Sequence, residues 1–184
     1  MTFLSPAPSP LGSNISISEL DFSIISLIAS GTLDAAATSI ALTGLDINSD
    51  GAYRIHIWGK NALNSARFLY LYVNADTTAT NYYVQFVRGD GAVDGGRENS
   101  PKIVYASNLE MFSCTVDVFR TPDGYIHAHY YNGFGLAGSD IGWKTGSVAS
   151  QATHANVTTL TITADAADMM GIGTKYAIYK IPGG

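Results

Sequence analysis

Two histidines separated by one residue, His127 and His129, are the first side chains in this 184-residue sequence whose spacing suits chemistry. On a β-strand, residues two positions apart lie on the same face, and two imidazoles placed in this way can bind Zn²⁺ or another borderline metal. A third ligand is needed, and only His56 or His154 offers one. The alternative is a structural or interfacial pair that is hydrogen-bonded or stacked among the neighbouring tyrosines. Both interpretations stay open, and no metal ligand is assigned.

The segment DINSDG at positions 46–51 resembles the opening of a calcium-binding loop, because Asp46, Asn48 and Asp50 place oxygen atoms at alternate positions before a glycine. Such a loop ends with a bidentate glutamate six residues after the glycine. The sequence has Ile57 at that position. The ligand set is therefore incomplete, and the segment favours a turn stabilised by Asx hydrogen bonds; a calcium site is the alternative.

No arrangement of residues typical of catalysis is found in the sequence. It contains no nucleophile elbow, no Gly-Lys-Ser/Thr phosphate loop and no HExxH motif. The single cysteine, Cys114, lies in the apolar run MFSCTVDVF, which is typical of a buried residue rather than of a nucleophile. Most carboxylates fall in turn segments. We therefore predict a non-enzymatic protein with no catalytic residues; the least favoured alternative is a glycoside hydrolase, which needs two carboxylates facing one groove.

Aromatic side chains form the third candidate site. Trp58, Trp143, Tyr130 and Tyr131 lie in strand-like segments, and exposed rings of this kind stack on the C–H faces of sugars. Rings in such segments also fill the core of a β-sandwich or an interface between subunits. The sequence leaves both roles open.

Composition limits the classes of partner. Hydrophobic residues make up 46% of the chain and charged residues only 14%, against about a quarter in ordinary globular proteins. This balance favours a protein that resides in an assembly. The net charge is −5 and no run of lysine or arginine occurs, so nucleic acid is not an expected partner. No apolar segment is long enough to span a membrane, so no membrane partner is expected.

Short segments rich in β-branched and aromatic residues, separated by turn sequences, indicate an all-β protein without a convincing amphipathic helix. The sequence TPDG at 121–124 predicts a hairpin between the segments on either side of it. A second turn is predicted at Asn132-Gly133, and the glycine-rich stretch 89–100 is interpreted as a surface loop. Strands are predicted at 24–30, 39–42, 52–59, 68–74, 82–88, 102–106, 111–120, 125–131, 142–148, 157–164 and 175–181.

The first 22 residues differ from the rest because Pro6, Pro8 and Pro10 favour an extended backbone that cannot join the middle of a sheet. We interpret residues 1–22 as an extended N-terminal arm and residues 23–184 as a β-sandwich domain. A disordered leader and an arm that lies on a neighbouring subunit are the two alternatives for this segment.

The order of several short motifs resembles that of a set of bacteriophage virion proteins, over about residues 27 to 181. The matching pieces are IASGTL at 28–33, AAATSI at 35–40, YRIHI at 53–57, LYLYVN at 69–74, NYY at 81–83, the Gly-Asp-Gly turn at 89–91 and TKYAIY at 174–179. The sequence departs from the pattern in its longer, proline-rich N-terminus and in His56 and Trp58, where small or aliphatic residues are usual.

The resemblance implies an antiparallel, jelly-roll-like β-sandwich in a phage particle, as a capsid decoration protein, a head-fibre protein or a tail-associated adhesin. It also implies no enzymatic activity and no cofactor. We expect a virion protein anchored by its N-terminal arm, with sister subunits in a homotrimer and the major capsid or tail proteins as partners. The alternative is a carbohydrate-binding module or a receptor-binding adhesin domain, whose partner is a host-surface glycan.

Overall fold

The computed structural model describes residues 25–90, 93–136 and 141–182, and the arm predicted for residues 1–22 lies outside them. The described chain is built from strands, one four-residue helix, α1 (Ile47–Asp50), and a short 3₁₀ helix, Ala79–Asn81. The strands are β1 (Ser26–Thr32), β2 (Ser39–Thr43), β3 (Ala52–Lys60), β4 (Arg67–Val73), β5 (Tyr82–Gly89), β6 (Val93–Glu98), β7 (Lys102–Ala106), β8 (Met111–Arg120), β9 (Tyr125–Gly135), β10 (Ile141–Thr153), β11 (Thr159–Ala164) and β12 (Lys175–Ile181).

The strands form two antiparallel sheets that pack face to face, which confirms the predicted all-β sandwich. One sheet has the order β1-β12-β3-β8-β9-β10-β5-β6 and the other the order β2-β11-β4-β7. If the hairpins β5–β6 and β9–β10 are left out, each strand is followed along the chain by a strand of the other sheet. The one exception is β7, which follows β4 in the same sheet. This is the path of a jelly roll. The two hairpins pair with each other through β5 and β10 and extend one sheet from four strands to eight.

Alternation along the strands places the core between the sheets. In β4, Leu69, Leu71 and Val73 are at most 2% exposed and face the larger sheet, because successive side chains of a strand point to opposite faces. The central strand β3 contributes Tyr53, Ile55 and Ile57 to the same core, all at 0% exposure. The remaining residues of β3, including His56 and Trp58, therefore point to the other face of the eight-stranded sheet.

The hairpin predicted at residues 121–124 is confirmed. The amide of Gly124 donates to the carbonyl of Thr121 over 2.9 Å, and β8 and β9 pair on either side. Gly124 has a φ of +90°, a conformation that side chains other than that of glycine adopt only at a cost.

The interpretation of residues 89–100 as a loop is wrong, because residues 93–98 form β6 and pair with β5. The glycines that suggested a loop have a packing role in the strand. A Cβ atom on Gly96 would lie 3.0 Å from the ring of Phe86 on β5, so glycine provides the space that this ring occupies. Because glycine is depleted in strands in general, the sequence did not predict a strand here.

The turn predicted at Asn132-Gly133 is also wrong, since both residues lie inside β9. Asn132 is fully buried, and its amide nitrogen donates to the carbonyl oxygens of Ser113 (3.0 Å) and Gly133 (3.1 Å). Its side-chain oxygen accepts a 2.8 Å hydrogen bond from the backbone of Tyr105 on β7, in the opposite sheet. The asparagine therefore joins the two sheets and does not form a turn.

Lys144 of β10 is a charged residue in the space between the sheets and is only 2% exposed. Its ammonium nitrogen lies 3.8 Å from the ring centroid of Phe86 and 5.9 Å from that of Phe68. Burial lowers the pKa of Lys144 to about 8, and the nearby carboxylate of Glu98 opposes this effect. The burial of this charge opposes folding, whereas the contact with Phe86 and the attraction to Glu98 favour it.

Candidate functional site

The surface most suited to contact is the outer face of the eight-stranded sheet, which points away from the four-stranded sheet. It carries aromatic and aliphatic side chains that are 39 to 81% exposed. These are Leu27, Trp58, Tyr83, Val87, Val93, Met111, Tyr125, Tyr131 and Ile141. Large exposed apolar patches on soluble proteins commonly mark sites of interaction.

The opposite surface of the sandwich differs in character. Within the described residues, none of the exposed large apolar side chains belongs to the four strands of the smaller sheet. Its central strand, β11, presents Thr159, Thr161 and Thr163 to the outside, next to Ala41 of β2. The most exposed large apolar side chains of the described residues are therefore concentrated on the larger sheet rather than on the smaller one.

Trp58 and Trp143 lie in one cross-strand row of the outer face, with Ser113 and Gly133 between them. Three strand spacings separate the two tryptophan backbones, a distance of about 14 Å. The ring of Trp143 lies against Gly89, where a Cβ atom would come within 2.6 Å of the indole nitrogen. Ser113 and Gly133 leave little side-chain bulk between the two tryptophan positions, and this row is here called the tryptophan trough.

Apolar residues continue from this trough to the nearest end of the sheet. Met111 is 56% exposed and Ile141 is 81% exposed, and with Trp58 they border a depression of about 400 Å³. Tyr131, 57% exposed, lies in the next cross-strand row between Thr115 and Thr145. We call Trp58, Met111, Tyr131, Ile141 and Trp143 together the apolar end of the face.

His127 and His129 do share the outer face, as predicted. Both rings stack on Phe119, with centroid distances of 5.7 Å and 5.3 Å, and Nδ1 of His129 lies 2.9 Å from the hydroxyl of Ser147. His56 lies two strands away from His129 and contacts the hydroxyl of Thr115 at 3.0 Å. The described residues contain no group of three or more His, Cys, Asp or Glu side chains positioned to hold a metal ion. Their stacking and hydrogen bonding favour the structural interpretation of the histidine pair.

A polar groove of about 840 Å³ lies on the same face at the far end from the apolar end. It is built by the two hairpins that extend the jelly roll. The side chains that line it from the outer face include Tyr83, Gln85, Arg97, Asn99, His127 and Ser147. Of this group, only His127 was predicted by name from the sequence as a candidate site residue. Tyr83 and Gln85 alternate along β5 with the buried Tyr82 and Val84. This alternation could have identified Tyr83 and Gln85 as outer-face residues from the sequence.

The segment at 46–51 forms a capped turn, as predicted. The carboxylate of Asp46 accepts hydrogen bonds from the hydroxyl of Ser49 (2.8 Å) and from the amide of Asn156 (2.9 Å). These hydrogen bonds lower the pKa of Asp46, the one from Ser49 most. Asp50 accepts a 2.8 Å hydrogen bond from the hydroxyl of Tyr53. Both carboxylates are therefore engaged with the fold itself.

Two residues considered at the sequence level lie away from the outer face. Tyr130 is 3% exposed and points between the sheets, so its proposed role in sugar stacking is wrong. Because adjacent residues of a strand face opposite ways, only Tyr131 of this pair lies on the outer face. Cys114 is also buried, and its thiol donates to the carbonyl of Ile103 over 3.5 Å. Burial raises the pKa of this thiol well above its ordinary value, which suits the predicted packing role.

No match to this chain was found among protein-family models, curated proteins or solved structures. The helices within residues 25–90, 93–136 and 141–182 are all too short or too polar to cross a membrane. The function must therefore be inferred from the fold and from the chemistry of its surface.

Proposed function

We propose that this chain is a non-enzymatic structural protein of a bacteriophage particle, where it decorates the capsid or attaches to the tail. Sister copies associate through the apolar end of the outer face, in a homotrimer, and the assembly contacts the major capsid or tail proteins. The N-terminal arm, residues 1–22, anchors the assembly to the particle. The sequence resemblance to virion proteins supports the location, and the jelly-roll path of the chain is one that viral capsid domains use.

The proposed self-association is supported mainly by the one-sided distribution of exposed apolar residues. Trp58, Met111, Tyr131 and Ile141 are each at least 42% exposed and lie at one end of one face. Aromatic residues and methionine are enriched in the cores of protein interfaces, whereas charged residues are depleted there. The same surface offers projecting rings and a trough floored by Ser113 and a glycine, so two copies present complementary shapes to each other.

The association is tested by sedimentation velocity over a range of protein concentrations. We expect the wild-type chain to form a defined oligomer and the double variant Trp58→Ser/Tyr131→Ser to remain monomeric. Ile172→Ser is the matched control, because Ile172 is 73% exposed but lies in a loop between β11 and β12, away from the face. A monomeric wild-type chain, or a double variant that assembles normally, would contradict the proposal.

The location is tested on phage particles purified by density gradient from a lysate of cells that carry the gene. We expect an antibody against the folded chain to label the capsid or the tail in electron micrographs. Deletion of residues 1–22 should leave the folded domain in solution and abolish labelling. Particles that never carry the protein would refute the proposed location, and normal incorporation of the truncated chain would refute the anchoring role of the arm.

A second candidate function, carbohydrate binding as a module or adhesin domain, is favoured by the tryptophan trough. The exposed indole of Trp58 and the half-buried indole of Trp143, on backbones about 14 Å apart, provide two stacking surfaces for the rings of one glycan chain. A titration with glycans, followed by tryptophan fluorescence, distinguishes this role from self-association. Saturable binding that is lost in Trp143→Ala would support it, and an unchanged spectrum with every glycan would refute it.

A further inference from the structure

The polar groove on hairpins β5–β6 and β9–β10 is separate from the apolar end and has a different chemistry. Its volume of about 840 Å³ falls in the range of 300 to 1,000 Å³ that is ordinary for ligand sites. It lies on elements added to the jelly-roll framework, and functional sites are commonly carried by such additions to a scaffold. A ligand of several rings fits in a groove of this size.

The groove carries the positive charge of Arg97, although the whole chain carries a net charge of −5. Arg97 lines it and belongs to none of the ion pairs formed among the described residues. His127 lies on the opposite wall. Glu98 also borders the groove, but strand alternation directs its carboxylate to the other face of the sheet, where it pairs with Lys102. The guanidinium of Arg97 is therefore available to an anion.

The remaining side chains suit a sugar. Tyr83 is 53% exposed and presents a ring on which the apolar face of a pyranose can stack. Gln85 and Asn99 are exposed side-chain amides that both donate and accept hydrogen bonds, as pairs of neighbouring hydroxyls require. The guanidinium of Arg97 adds a planar fork of donors, which matches the geometry of a carboxylate.

We propose that this groove binds a short acidic oligosaccharide, one that carries a carboxylate on a sugar ring, as uronic and sialic acids do. Arg97 binds the carboxylate, Tyr83 stacks on a sugar ring, and Gln85 and Asn99 bind hydroxyl groups. This inference goes beyond the structural role proposed above and does not depend on it. A virion protein with such a groove would attach to acidic glycans while its apolar end contacts sister copies.

The test is isothermal titration of the purified full-length chain with sialyllactose and with oligogalacturonate, and with lactose as the neutral comparison. We expect saturable binding of at least one acidic sugar and markedly weaker binding of lactose. Arg97→Gln should weaken the binding of the acidic sugar by about 10-fold or more, since hydrogen bonds to charged groups contribute about 1.5–3 kcal/mol. Tyr83→Ala should weaken both classes of sugar, and Arg97→Lys should give an intermediate affinity.

Two controls keep the result specific to the groove. Lys60→Gln removes an exposed positive charge from the far end of the face, and Ile172→Ser removes an exposed apolar side chain from the loop between β11 and β12; neither should change the affinity. Equal binding of lactose, an unchanged affinity in Arg97→Gln, or no saturable binding of any acidic sugar would overturn the proposal. Displacement of the sugar by polyglutamate at the same carboxylate concentration would also overturn it. None of these outcomes bears on the sedimentation or particle-labelling tests.

Discussion

Replacement of Lys144 by methionine should stabilise this protein at neutral pH. The side chain is 2% exposed, and its ammonium group lies against the ring of Phe86 between the two sheets. Methionine keeps most of the apolar stem and its contacts with Phe86 and Phe68, but it removes the charge that burial penalises. The variant therefore separates the cost of the charge from the benefit of packing.

The magnitude follows from the pKa of Lys144, which burial lowers from 10.5 to about 8. At about 1.4 kcal/mol per pKa unit, the charge costs at most about 3.5 kcal/mol at pH 7. Residual solvent screening at the side chain reduces this cost, and attraction of the ammonium to the aromatic ring returns about 1 kcal/mol. We therefore expect Lys144→Met to raise the free energy of unfolding by about 1–2 kcal/mol.

The pH dependence gives the sharper assay. Between pH 8 and 10.5 the unfolded chain binds more protons at this lysine than the folded chain does. The contribution of Lys144 therefore makes the free energy of unfolding of the wild type rise with pH in this range. The penalty is complete below pH 8 and disappears as the pH approaches 10.5. Urea unfolding followed by circular dichroism, at a concentration where the chain is monomeric, should show the two stability curves converge over this window.

The measured quantity is the difference in unfolding free energy between the variant and the wild type. The titration of the buried tyrosines affects both chains alike and therefore cancels from this difference. Lys60→Met, on an exposed part of β3, serves as control and should change stability by less than about 0.5 kcal/mol at pH 7. A loss of stability in Lys144→Met at pH 7 would refute the reasoning. It would mean that the contacts of the ammonium with Phe86 and with the charge of Glu98 outweigh its desolvation.

Three further predictions concern the fold. Asn132→Leu should cost about 3–4 kcal/mol in urea unfolding, because it removes three hydrogen bonds and leaves a buried backbone N–H without a partner; Asn108→Leu, at an exposed site, should cost under about 0.5 kcal/mol. Gly124→Ala should cost about 1–2 kcal/mol in the same assay, since its φ of +90° is strained for alanine, and an unchanged midpoint would contradict the observed turn. In hydrogen exchange, alternate amides of residues 93–98 should be protected by pairing with β5, whereas uniform fast exchange would indicate a loop.

Local patterns were sufficient to predict most strands of this protein. The segments 102–106, 111–120 and 175–181 match β7, β8 and β12 residue for residue, because alternating buried side chains and flanking turn residues both mark their limits. The strand β6 was missed because it contains two glycines, one of which, Gly96, leaves the space that the ring of Phe86 on the neighbouring strand occupies. That contact depends on pairing and leaves no periodic signal in the sequence.

The candidate sites were harder to predict, because they depend on which strands become neighbours. Trp58 and Trp143 were predicted from the sequence as aromatic candidates, but their common row requires the pairing of β3, β8, β9 and β10. The polar groove depends on the pairing of β5 with β10, two strands far apart in the chain. Alternation within β9 would have separated Tyr130 from Tyr131, since adjacent residues of a strand face opposite ways.

The central claim is that the apolar end of the outer face is covered when the protein assembles. Oxidative footprinting of the assembled and the diluted, monomeric chain, read by mass spectrometry, tests it most directly. We predict that Trp58, Met111 and Tyr131 lose reactivity on assembly, whereas Ile172 and Tyr125 keep theirs. Unchanged reactivity of Trp58, Met111 and Tyr131 in the assembled chain would contradict the claim.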